Sequence, residues 1–338
     1  MRRPGYLALC LVMMLAGVLP GLAQSLAEND AYRAFYGEKD PQKKIDLGEK
    51  FLADPAFKES TYRSPILLTI VPIYVQAKNW VKVLDHGEKL NAELPNAAAN
   101  AKISIYTYAM GAAESTNNPA KMVEFGDKVL AADPTNLQAQ VTVATTIPQG
   151  MPQDKVANDK AFELANKALA GVAQLFGQPK PANVTDAQWK QARAEYDEQL
   201  HSALGMVQVN RKDYAKAAAE YVIVTKSNPK DSVAHFYIGF AYQNQTADAS
   251  KALVEATKAF SDARVAKAPQ PDIDELDAKR QGLQGDLDKK MDAALDEFAI
   301  SVAIGGPLEK QARTYLESLY TTKHNSLDGL DQFIQSKK

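Results

Sequence analysis

Four histidines, one cysteine and a set of evenly spaced lysines are the side chains of this sequence best suited to do chemistry. His86, His201, His235 and His324 are scattered, and no two have the i, i+4 spacing that places two imidazoles on one helical face for a metal. The acidic run DIDELD at 272–277 sets Asp272 and Asp274 at calcium-loop spacing. Such a loop also needs an oxygen ligand at its fifth position, glycine at its sixth and glutamate at its twelfth, where this chain has Leu276, Asp277 and Leu283. Those acidic residues fit the positive end of a helix better. No nucleophile elbow, phosphate loop or dinucleotide glycine motif occurs. These residues predict a protein that is not an enzyme, with no cofactor and no metal site. An enzymatic alternative would need its site between Pro269 and Lys290, and that segment supplies no constellation.

Cys10 lies inside the opening segment MRRPGYLALCLVMMLAGVLPGLAQS. Arg2 and Arg3, an apolar run and then Gly21, Leu22 and Ala23 predict a Sec-type signal peptide over 1–23, cut after Ala23. The expected product is periplasmic or secreted, carries no thiol and has no stable membrane insertion. Loss of the two arginines moves the formal charge from −2 to −4, without the basic surplus that a nucleic-acid binder uses to displace counterions.

The lysines obey a ruler. Lys43, Lys82, Lys121 and Lys160 recur every 39 residues, and so do Lys50, Lys89, Lys128 and Lys167. They read either as a basic ribbon for an anionic polymer or as a solvated face; Glu49, Glu88 and Asp127 interleave with them and favour the second reading. Gly48, Gly87 and Gly126 keep the same interval, and Ala165 continues it. Self-similarity of this length marks stacked supersecondary units. Asn79-Trp80 and Asn118-Pro119 open helices, while Asp54-Pro55, Leu94-Pro95 and Asp133-Pro134 close them. Each unit therefore holds a helical pair, and the repeated small residue lets helix backbones approach closely. The stretch 66–75 is rich in β-branched residues and contains Pro72; taken alone it could be an edge strand, but its place on the ruler predicts a buried helix.

A tighter period follows. His201, Leu204 and Gly205 recur 34 residues later as His235, Ile238 and Gly239, with Tyr242 added. The first copy continues through Tyr214, Ala217, Tyr221 and Pro229. HSALGMVQ and HFYIGFAY resemble the tetratricopeptide repeat family, with histidine in the place of tryptophan and Gln208 where an aromatic is expected. The match is specific over 199–245 and looser elsewhere. The resemblance implies an all-α, right-handed α-solenoid of stacked antiparallel helix pairs, five to six in number, with a C-terminal cap. The expected organisation is repeats of the 39-residue kind over 24–176 and of the 34-residue kind over 177–268. An inserted charged helical segment follows at 269–290, then a helical repeat and cap at 291–338. Thr185 and Gln188 should form a capping box after the proline-rich break near 177–189.

In the family resembled, first helices of successive pairs line a concave groove that grips peptide segments or partner helices. His235, Ile238, Gly239 and Tyr242 share one side of their helix, which turns Phe236, Phe240 and Gln243 toward another, bordered by Asn244. The preceding helix presents Ser202, Met206, Val209 and Asn210 in the same way. These eight residues are the expected groove. The expected function is a periplasmic adaptor that holds another envelope protein, the alternative being a glycan or small-ligand binding protein on the same repeats.

Overall fold

The computed structural model describes residues 26–94 and 97–338, so the opening segment and its cut after Ala23 lie outside the described residues. Among the described residues there is no strand, and fourteen α-helices follow one another. They are α1 (Leu26–Gly37), α2 (Pro41–Ala53), α3 (Arg63–Gln76), α4 (Trp80–Glu93), α5 (Ala99–Ser115), α6 (Pro119–Ala132) and α7 (Leu137–Gly150). Then come α8 (Lys155–Phe176), α9 (Asp186–Asn210), α10 (Tyr214–Ser227), α11 (Ser232–Val265), α12 (Gln270–Ile304), α13 (Glu309–His324) and α14 (Leu330–Gln335). The stretch 66–75 is helical, within α3, and Ile66, Leu67, Ile70 and Val71 are fully buried. The chain divides into two compact units between Ile73 and Tyr74.

In the first unit, α1, α2 and the start of α3 share one core. A Cβ added to Gly48 would lie 2.9 Å from Ile70 Cγ2 and 3.1 Å from Phe35. Tyr32 and Tyr62 stack with centroids 3.9 Å apart, and the Tyr62 hydroxyl donates to Asn29 Oδ1 at 2.7 Å.

In the second unit each helix packs on its successor: α4 on α5, α5 on α6 and so on to α13, with α14 folding back on α12. Contact that follows chain order in this way is an α-solenoid of helix pairs. One turn builds the pairs. Lys78, Asn117 and Lys212 adopt φ of 54°, 52° and 61°, and the next residue's N–H reaches back to Tyr74, Ala113 and Gln208 respectively. That is the six-to-one bond of a Schellman stop. The residue making it, Asn79, Asn118 or Asp213, then caps the following helix with its side chain. Ending one helix and starting the next with two residues is what keeps the pairs short and antiparallel. The capping box of Thr185 and Gln188 is present at the start of α9.

The glycines sit where helices touch. A Cβ on Gly87 of α4 would come within 2.6 Å of Ala109 on α5 and 2.9 Å of Phe125 on α6. On Gly126 of α6 it would meet Val143 of α7 at 2.4 Å. Ala165, the next on the ruler, is fully buried beside Val141 and Ala144. In the tighter repeat, Gly205 of α9 lies under Tyr221 of α10, whose ring would be 2.6 Å from a Cβ.

The expected insertion at 269–290 proves to be half of something larger. Helix α11 continues unbroken to Val265 and α12 runs unbroken from Gln270 to Ile304, so 245–290 forms a two-helix arm. Its tip repeats the first half of that turn: Lys267 has φ 52° and the Ala268 N–H bonds to the Ala263 carbonyl, while α12 starts after Pro269 without a side-chain cap. The arm is thus one repeat's own hairpin, lengthened. Ala249, Ala256 and Ala263 recur every seven residues along one side of α11, with Ala249 and Ala256 buried. Phe260 lies between two guanidinium groups, those of Arg264 and Arg280, each 5.5 Å from its ring centre.

Gly126→Ala should lower stability by about 1–3 kcal/mol, since buried Val143 is branched and cannot retreat, even though alanine favours the helix by about 1 kcal/mol. Gly111→Ala in α5, where no atom lies within 4 Å, should instead stabilise by about 0.5–1 kcal/mol. Denaturant melts of the two variants check this, and effects of the same sign would remove the close-approach account.

Candidate partner-binding surface

The eight expected groove residues divide by environment. Ser202, Met206, Val209 and Asn210 are half-buried on α9, and Phe240, Gln243 and Asn244 are half-buried on α11. Phe236 differs. It is 2% exposed and belongs to the core formed by α11, α12 and α13, its ring 5.7 Å from Phe298 and 6.0 Å from Tyr315. Its assignment to an open groove wall is therefore corrected: the first helix of one pair packs against the first helix of the next, so its apolar surface wraps farther than a one-sided stripe.

Phe240 stands at the edge of that core, with Tyr214 and Tyr315 each 6.0 Å away in edge-on geometry. Asn244 donates to the Phe240 carbonyl at 2.8 Å, and the Gln243 Oε1 is buried without a hydrogen-bond partner. Val209 packs against the cores around Tyr221 and around Ala217 and Ala241. Asn210 has a structural task. Its amide donates to the Pro148 carbonyl and to Asn158 Oδ1, both at 2.9 Å, and Asn158, 2% exposed, donates in turn to the carbonyls of Met151 and Asp154. This chain ties the end of α9 to the turn between α7 and α8. Ser202 and Met206 remain as side chains with room to meet a partner.

Sequence reading placed Tyr214 in the repeat pattern but not beside Phe240, and it overlooked Tyr315. Tyr315 lies one residue ahead of Leu316 in a segment read as a polar cap, and only its spacing to Leu308, Ala312 and Leu319 could have marked it.

Four of the eight lysines on the ruler, Lys89, Lys121, Lys128 and Lys160, pair with carboxylates. Lys121 pairs with Glu88 of the previous repeat at 2.9 Å and with Glu124 at 2.8 Å, and Lys160 pairs with Asp127 of the previous repeat at 2.5 Å. Lys128 binds Glu124 at 2.7 Å and lies over the Phe125 ring. Hydrogen bonds from Lys121 and Lys128 hold the Glu124 carboxyl below its usual range, and bonds to Glu124 and Glu88 raise the Lys121 ammonium. The ruler of lysines thus meets a ruler of acids one repeat behind, which agrees with the solvated-face reading.

Three of the four histidines bridge helices, and His324 packs on Tyr320 of its own helix. His201 Nδ1 is 2.7 Å from Glu220 on α10, His235 Nδ1 is 2.5 Å from Glu297 on α12, and buried His86 stacks near Tyr74 with centroids 5.8 Å apart. Two shallow recesses, of about 340 Å³ near Phe260 and about 450 Å³ near Val254, lie on the arm and touch none of the eight residues.

The chain is a helical-repeat protein. No protein-family model matches it, and no curated protein does. Among solved structures it is similar to a tetratricopeptide repeat protein from Parabacteroides merdae ATCC 43184. The identity is 11%, with 87% of this chain and 99% of that chain covered, at a TM-score of 0.37. The repeat architecture stands on the turn, the glycine contacts and the order of helix packing.

Asn210→Ala should cost about 1–3 kcal/mol, because two buried acceptors lose their donor, and Phe236→Ala about 3–5 kcal/mol. Ser202→Ala should fall within about 0.5 kcal/mol of wild type. A large loss from Ser202→Ala, or none from Phe236→Ala, in urea unfolding would contradict this sorting.

Proposed function

We propose that this protein is a non-catalytic helical-repeat adaptor that holds a segment of another protein along the first helices of successive pairs. One observation carries the reading: α9 and α11, two successive first helices, both keep a row of half-buried side chains beside their cores. On α9 the row includes Ser202 and Met206; on α11 it includes Phe240 and Gln243. An aromatic ring that packs against Tyr214 and Tyr315 and is still half-buried, together with a thioether and amides, suits a peptide or helix that inserts apolar anchors. The polar groups with the sharpest geometry, Asn210, His201 and His235, are already committed to holding helices together. The opening segment supports export, and the partner we infer is accordingly another periplasmic or envelope protein.

A photo-crosslinking residue placed at Met206 or Ser202 in the exporting cell should trap one dominant protein, and the same residue at exposed Val81 on α4 should not. Equal trapping from both positions would defeat the groove assignment. Sugar-dependent shifts in melting temperature without a trapped protein would favour a glycan binder instead.

A further inference from the structure

The turn between α10 and α11 gathers more titratable groups than any other corner described above. His235, 8% exposed, stands at its centre. Its Nδ1 lies 2.5 Å from Glu297 Oε2 on α12, and its Nε2 lies 3.1 Å from the Pro229 carbonyl in the turn. A carbonyl only accepts hydrogen bonds, and so does an ionised carboxylate. Both ring nitrogens must then carry protons, a state that only the imidazolium has. A neutral ring could serve one acceptor and would leave the other buried without a donor.

We propose that this corner is a proton-operated clamp: protonated His235 ties α11, the turn before it and α12 into one piece, and loss of the proton loosens α12 and with it the base of the arm. The groups that face it are consistent in sign. Glu297 comes from α12, and Asp231 caps α11 itself. From α9, Glu198 reaches the Asn228 amide at 3.4 Å and faces Asp231. From α10 comes Tyr221, 2% exposed and un-ionised at any relevant pH. The equivalent histidine one repeat earlier, His201, meets Glu220 through a single ring nitrogen, which a neutral ring can satisfy. The double tether belongs to His235.

Burial alone would pull the His235 pKa down, but the bond to Glu297, the Pro229 carbonyl and Asp231 together outweigh it, and the group ends above its ordinary value of 6.5. A folded-state pKa above the unfolded one means that the contribution is complete below 6.5 and is lost as pH rises through the folded value. Glu198 acts in the same direction. Burial and Asp231 push its carboxyl up from 4.5, so its share is complete below 4.5 and is lost as pH rises through the folded value.

The experiment is a ring-nitrogen NMR titration of the full chain, combined with hydrogen exchange over 291–304. At about pH 7 both His235 nitrogens should be protonated, whereas an ordinary exposed histidine is mostly neutral there. Corrected for intrinsic exchange chemistry, amides of 291–304 should open more often at about pH 8.5 than at about pH 6, the direction that linkage to a raised His235 pKa requires. Glu297→Gln keeps the shape and one acceptor but removes the charge. It should return His235 to a neutral ring at neutral pH and abolish the difference in opening. A neutral His235 tautomer in the wild-type protein at neutral pH would overturn the proposal, as would pH-dependent opening that survives in Glu297→Gln.

Discussion

The structure depends on how closely one helix can approach the helix of the next pair. A pair of four-turn helices has too little interior to bury its apolar side by itself, so each must use its neighbour as the second half of its core. The closer the backbones, the more dispersion contact each residue gains. At Gly87 and Gly126 there is no room for even one methyl group, because Ala109 and Val143 already fill the space where it would be. The glycines give up helix propensity of about 1 kcal/mol each. Packing across the seam has to exceed that loss, and the full burial of Val83, Phe125, Val129 and Val143 around the two positions shows where the gain arises.

Other features follow from the same spacing. With the seam fixed, the second helices of adjacent pairs are set at a constant offset, and Lys121 and Lys160 each fall opposite an acid of the preceding repeat. Exposed pairs of this sort add little individually. Their regularity is a consequence of the register more than a cause of it. The two-residue turn is similarly independent of helix length, since a left-handed residue and a capping side chain end any helix and begin any other. That independence lets α11 and α12 run far beyond their neighbours without disturbing the repeat at their base: the turn is carried outward to Lys267, and an alanine every seven residues keeps the two helices in contact on the way.

Much of this could be read in the sequence, and what could not has physical reasons. The glycine ruler was legible because a steric demand for no side chain leaves only one or two residue types possible. The turns were legible because caps and prolines act locally. The arm was not, because its seam is built from alanine and leucine diluted by charge, so Pro269 and the acidic residues after it looked like an insertion when they mark a hairpin tip. Phe236 was misplaced for a different reason. A helical wheel sorts a helix into one buried side and its opposite, whereas a first helix in a solenoid touches its own partner, the previous pair and the next pair. Phe236 faces Tyr315 of the next pair, a contact 79 positions away that no local pattern encodes. Asn210 illustrates the same limit: an amide at a helix end looks available until Pro148 and Asn158 appear beside it.

His201 and His235 show what an imidazole provides at a seam between helices that an apolar ring would not. A tryptophan at position 201 or 235 would hold two helices together through apolar area and one N–H donor that does not titrate, and that hold would be indifferent to pH. An imidazole offers less area but two directional donors, and the chain supplies a carboxylate on the following helix in both cases, Glu220 and Glu297. Exchanging area for a buried ion pair rarely adds stability, because desolvation offsets most of the attraction. The exchange makes physical sense where the hold is meant to depend on conditions, and the two copies are graded for that. His201 is the more open and singly bound; His235 is the more buried, bound at both nitrogens, and placed where the last full repeat meets the base of the arm.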